Sequence, residues 1–335
     1  MYGSSDKFLS KLNPLNLDWY DNGDTKNHWV FRGHSSADYE LLPGIYRESS
    51  LTQVDDYINN FTNCSIVNTE NLSSLSEYII NRCRNSADNQ CEKIEARLTE
   101  IIKVLFFEIN KLERFLIESN NVGLHVPTLK VFKEQNIETR SVDYLYHQIN
   151  SYIKLFLRMA KYPPQNHLLV NYEPFLEFDF PEAVALAQHH GVPTRYLDWS
   201  WNPYVAAFFA ANGSDNKSEK ICVWALNTKA LNGIYRAKGV VKLHKKLSRN
   251  GLEFLHNQKG LFTDMLGAES YYYFHGKWPT LGEYLDLSKQ GEALQRIDLD
   301  SSEAKNVLDY LDNVGINLHS LMPTYDNIGK LLRDK

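Results

Sequence analysis

Four places along the 335-residue chain carry side chains able to do chemistry. Arg32 stands beside Gly33 at the end of His28-Trp29-Val30-Phe31. An arginine on a rigid strand presents a planar fork of N–H donors that grips anionic oxygens two at a time. A glycine beside it lets a ligand approach the backbone. Thr194, Arg195, Tyr196, Asp198, Trp199 and Ser200 crowd into seven positions, bringing two aliphatic hydroxyls, a carboxylate and two aromatic faces that can stack on a planar ring. His189 and His190 are candidate general acid–base groups, although adjacent helical positions face different ways and at most one can serve a site. Gln258 lies further on, with Glu253 and Asp264 as nearby carboxylates. Plainer readings stand beside these. Arg32 could pair with Asp198 and tie two strands together, and Arg195 and Asp198, three apart, could pair locally. Trp199 and Trp201 suit a core, and Lys242, His244, Lys245, Lys246 and Arg249 suit a solvated basic loop.

The elements that must hold these groups are legible from pattern. Residues 28–33 read as a short strand ending at Gly33, where the chain can turn, and Leu41-Leu42-Pro43-Gly44 punctuates the loop after it. Ile94, Leu98, Ile101, Leu105, Ile109, Leu112 and Leu116 recur at steps of three or four and predict a helix of about seven turns. Val142, Leu145, Ile149, Ile153, Phe156, Leu157 and Ala160 predict a second helix that stops at Tyr162-Pro163-Pro164. Residues 50–170 are therefore expected to form a helical layer inserted into, or packed against, a β core. Pro181 and Gly191 bound a helix over 182–190, and a connector over 192–200 follows it. Asn202-Pro203 opens a buried helix over 204–211. Residues 221–226 read as an interior strand, Tyr271-Tyr272-Tyr273-Phe274 as strand-like, 294–299 as a strand and 301–313 as a helix. The class is α+β.

Composition narrows the function. With 43% hydrophobic and 23% charged residues the chain is globular, and a net charge of −5 gives no global argument for nucleic-acid binding. Its four cysteines show no CxxC pair, which argues against a zinc ribbon or a disulfide scaffold and fits a reducing cytosol. No apolar run approaches the ~20 residues that span a bilayer, and the first residues do not read as a signal peptide, so the expectation is a cytoplasmic protein with no membrane association. GxGxxG is absent, which removes hydride-transferring enzymes of the dinucleotide fold.

Phe31-Arg32-Gly33 is followed by Leu41-Leu42-Pro43 and Tyr46-Arg47, and Leu186 to Trp199 by Asn202-Pro203 and Ala206 to Ala210. With Gln258 to Thr263, Gly315-Ile316 and Leu321-Met322-Pro323, these blocks resemble the FRG domain family, in order and over nearly the whole chain. Tyr196 stands where the family pattern suggests Leu, Ser200 where Thr is commoner, and residues 50–170 match little beyond being helical. On this reading 1–335 form a single FRG domain with 50–170 as its helical insertion.

A second resemblance, of order and setting, is to ADP-ribosyltransferase-like folds, which carry an Arg or His on the first strand, a Ser/Thr-containing strand before a helix, and a Glu or Gln near a later strand. It implies an ADP-ribosyltransferase-like β core in which Arg32 anchors NAD, Gly33, Thr194, Ser200, Tyr196 and Trp199 line its site, and Gln258 meets the ribose or the acceptor. Breaking the nicotinamide–ribose bond develops oxocarbenium character and needs a pose and a nearby negative group rather than a metal. Gln258 is neutral, so Asp198, Glu253 or Asp264 would supply that charge, with Arg32, Gln258 and Asp198 as the catalytic set and no metal. The implied activity is that of an NAD-using ADP-ribosyltransferase or NAD glycohydrolase, a toxin or phage-defence effector whose acceptor is protein, nucleic acid or water and which an antitoxin or other partner protein could restrain. Two rivals stay open: a non-catalytic module that binds a nucleotide or other anion at Arg32, and a nuclease-like enzyme built on the histidines and Asp198.

Overall fold

A computed structural model describes residues 4–20, 28–59, 91–127, 181–214, 218–232, 241–248, 252–287, 291–325 and 327–329. Along the chain the elements run α1 (Ser5–Lys11), β1 (Trp29–His34), α2 (Glu48–Asn59), α3 (Cys91–Asn121), α4 (Pro181–His189), β2 (Leu197–Ser200), α5 (Pro203–Asn212) and β3 (Lys220–Asn227). There follow β4 (Val241–His244), α6 (Glu253–Asn257), β5 (Gly260–Met265), α7 (Ala268–His275), α8 (Leu281–Leu287), β6 (Leu294–Asp300), α9 (Ala304–Asn313) and α10 (Leu318–Leu321). Two compact units divide them: Met1–Leu41, Leu197–Asp264 and Thr280–Lys335 form the first, and Leu42–Tyr196 with Met265–Pro279 the second.

The first unit is built on one sheet of order β4-β5-β2-β1-β3-β6, in which β1 pairs antiparallel with β2 and β3, β2 with β5, and β3 with β6. The alternation of a pleated strand sorts its residues. Phe31, Val223, Ala225, Ile297 and Leu299 face the core beneath α1, α5 and α9, so the intervening Arg32, Trp224 and Arg296 belong to the opposite face. Helix α5 starts as its sequence predicts: the Asn202 side chain accepts from Tyr204 N at 3.0 Å, and Pro203 takes the first helical position, where its missing N–H costs nothing. Its alanines bring its backbone close to the sheet. A Cβ added at Gly33 would overlap the carbonyl oxygen of Ala206 and lie 2.7 Å from the nitrogen of Ala210. Close packing thus accounts for a glycine at 33, and the approach of a ligand to the backbone is not needed to explain it.

In the second unit α3 buries the expected stripe of Leu98, Ile101, Leu105, Leu112 and Leu116. Tyr271 to Phe274, expected as strand-like, are instead helical in α7. Four aromatics in a row favour a strand only where a sheet edge offers a place, and here the ends decide. Gly267 and Gly276 bracket the segment in the left-handed region, with φ of 92° and 73°. Arg97 donates to the carbonyls of Tyr273 and Phe274 at the helix C-terminus, where a cation is favoured. Two smaller corrections concern the first unit. The connector over 192–200 becomes strand from Leu197, and the basic loop begins as strand β4, each because β5 offers an edge to pair with. The second predicted helical stripe, 142–160, lies outside the described residues. Among the described residues no helix is long and apolar enough to cross a membrane. The class is α+β, a mixture of helices and an antiparallel sheet.

Candidate functional site

Arg32 projects from β1 and is fastened at three points. Its Nε donates to His34 Nε2 at 3.0 Å, its Nη1 donates to the Asp198 carbonyl at 2.9 Å, and Nη1 also pairs with the Asp198 carboxylate. His34 sits 3.1 Å through Nδ1 from the carbonyl of Tyr39, an acceptor only. The hydrogen is therefore assigned to Nδ1, which leaves Nε2 free to accept from Arg32. The Arg32 side chain is 13% exposed, and Asp198, at the edge of the arrangement, is 60% exposed. Partial loss of water works to raise the Asp198 carboxyl, but the charge and hydrogen bond of Arg32 outweigh it and hold the group below its ordinary range. Asp198 is thus an ionised carboxylate. Among the described residues no group bonds Arg32 Nη2, whose two N–H donors form the open edge of the fork.

Other candidates are tied into the scaffold. Ser200, 5% exposed, donates through Oγ to the Gln258 carbonyl at 2.6 Å and accepts from Asn202 N at 2.9 Å, so it fastens the start of α5 to the turn before β5. The Gln258 side chain donates to the Leu321 carbonyl at 3.4 Å. Arg32 and Gln258 therefore both attach to β2, one at Asp198 and the other at Ser200, without bonding each other. Trp199 is buried, its indole donating to Thr263 Oγ1 at 2.9 Å. In the second unit Thr194 Oγ1 donates to Gln188 Oε1 at 2.5 Å, and Tyr196 is buried. His189 and His190 are exposed at the end of α4, with the His190 ring stacked 6.0 Å from Phe115.

The local Arg195–Asp198 pair is not formed. Asp198 pairs with Arg32, whereas Arg195 is buried in the second unit between two carboxylates. It bonds Glu108 Oε2 through Nη2 at 2.7 Å and Nε at 3.0 Å, its backbone N donates to Glu108 Oε1 at 2.8 Å, and Nη1 reaches Glu269 Oε1 at 3.0 Å. A buried arginine held between two buried carboxylates reads as an organiser of α3 and α7. Sequence reasoning missed His34 and Trp224. His34 had a signal, because residues two apart on a strand share a face. Trp224 had none, since its place across from Arg32 is set by strand pairing over nearly two hundred residues.

The FRG domain model matches residues 120–219, the segment that includes α4, β2 and α5. The Phe31-Arg32-Gly33 block lies outside that match. No curated protein and no solved structure matches the chain.

Proposed function

We propose that the chain binds NAD at Arg32 and breaks its nicotinamide–ribose bond, passing ADP-ribose to a protein, a nucleic acid or water. The observation that carries the reading is the open Nη2 edge of an otherwise immobilised Arg32 beside an ionised, exposed Asp198. An arginine already oriented by His34 and Asp198 loses little freedom on gripping a pyrophosphate oxygen. In the reaction the C1′–nitrogen bond breaks with its electron pair leaving on nicotinamide, and an acceptor oxygen or nitrogen attacks C1′ and sheds a proton. Asp198 is the group suited to favour the cationic sugar, because Gln258 is neutral and its amide is turned to Leu321.

One observation favours a second reading, a module that binds an anionic nucleotide without cleaving it: the Asp198 charge is already matched by Arg32. The deciding experiment incubates purified protein with NAD, with and without candidate acceptors, and follows free nicotinamide beside calorimetric binding of ADP-ribose. Release of nicotinamide supports the enzyme. Binding without release supports the module, and absence of both rejects Arg32 as a nucleotide anchor.

A further inference from the structure

We infer that Trp224 shares with Arg32 a phosphate-binding site on the face of the sheet opposite α5, its indole N–H completing the grip that the guanidinium begins. This rests on the reading of Arg32 as an anchor for an anionic ligand, and it adds a residue that the resemblances did not assign. Strand pairing sets Arg32 directly across from Trp224, and Trp224 directly across from Arg296, so the three side chains leave one face in a row over three adjacent strands. Arg296 is already engaged: it pairs with Asp298 at 2.8 Å, donates to the Ala37 carbonyl at 3.2 Å, and lies over the Trp224 ring at 5.6 Å. That contact covers one side of the indole and pins its orientation.

Two neighbouring positions on this face hold N–H donors without acceptors among the described residues: Nη2 of Arg32, and the buried Nε1 of Trp224. A buried indole N–H left unpaired is a cost that an acceptor from water or a ligand removes. A tetrahedral oxyanion can do so, since its several oxygens can accept from donors on two adjacent strands. Both residues most simply expected to stack on a ligand, Tyr196 and Trp199, are buried, whereas Trp224 keeps part of its surface open. The ligand class is therefore a phosphate-bearing nucleotide, with phosphate oxygen on the Trp224 N–H.

The test uses ADP as the probe on the full chain. Trp224→Phe keeps an aromatic ring and removes the N–H; it should weaken ADP binding by calorimetry at least tenfold, a loss of about 1.4 kcal/mol or more. In the wild type, the Trp224 indole N–H resonance, assigned through bonds, should move on addition of ADP. That second readout decides the matter even where Trp224→Phe lowers the melting temperature. If Arg32→Ala abolishes binding while Trp224→Phe binds as the wild type and the resonance stays put, the role of Trp224 is wrong and the Arg32 anchor stands. If ADP fails to bind, or binds Arg32→Ala unchanged, both fall together.

Discussion

Arg32 enters the proposed reaction with Nε committed to His34 and Nη1 to Asp198, so its role depends on shape as much as on charge. Arg32→Lys keeps the charge but loses the Nε bond to His34 and the planar fork. Nicotinamide release is expected to fall roughly a hundredfold, because small displacements of the reacting atoms are heavily penalised, while NAD binding weakens less. The check is turnover and calorimetric affinity on the same sample; near-wild-type turnover would show that charge alone suffices. The partner of Arg32 was foreseeable only as one of two pairings. Asp198 lies three residues from Arg195 and 166 from Arg32, and local spacing favoured the nearer arginine. Arg195 was unavailable because Glu108 and Glu269 take it, and residues 87 and 74 positions away leave no trace in the local pattern.

At the scale of elements, helix α5 and its start at Asn202-Pro203 were readable because capping is a local event. Helix α7 was misread because its stability comes from glycine exits and Arg97, neither of which alters the aromatic run itself. The contact of α5 with β1 makes a sharp prediction. Gly33→Ala places a methyl group against backbone atoms of α5 that cannot rotate away, so destabilisation of about 3 kcal/mol is expected in urea unfolding. A variant that is fully stable but has lost ligand binding would instead return Gly33 to the site. Strand β4 carries a second prediction. Burial, helped by the charge of Lys242, pushes the His244 imidazole from an ordinary 6.5 to about 4. Between those values the unfolded chain binds a proton that the folded one refuses, so stability falls as pH drops through that window. His244→Gln should remove this dependence, narrowing the loss between pH 7.5 and pH 5 by about 2 kcal/mol. Parallel pH profiles of melting temperature in the two proteins would refute it.

For the molecule as a whole, the α+β class followed from the order of elements, but the division into two interleaved units did not, since it depends on which distant segments meet. The buried Arg195–Glu108–Glu269 group is where the second unit is most sensitive. Arg195→Met leaves two carboxylates without their cation and should cost about 3–5 kcal/mol, whereas adding Glu108→Leu and Glu269→Leu should recover most of it. Denaturant midpoints of the single and triple variants test this, and equal midpoints would overturn it. The interleaving also bears on how the protein is made. The chain leaves the first unit after Leu41 and re-enters it at Leu197, so β1 meets neither β2 nor β3 until residues 42–196 have been synthesised. At the usual pace of a ribosome that delay is roughly 8 to 30 seconds. Throughout it Arg32 has neither Asp198 to orient it nor Trp224 across from it, so the proposed anchor cannot assemble until the ribosome has passed residue 224.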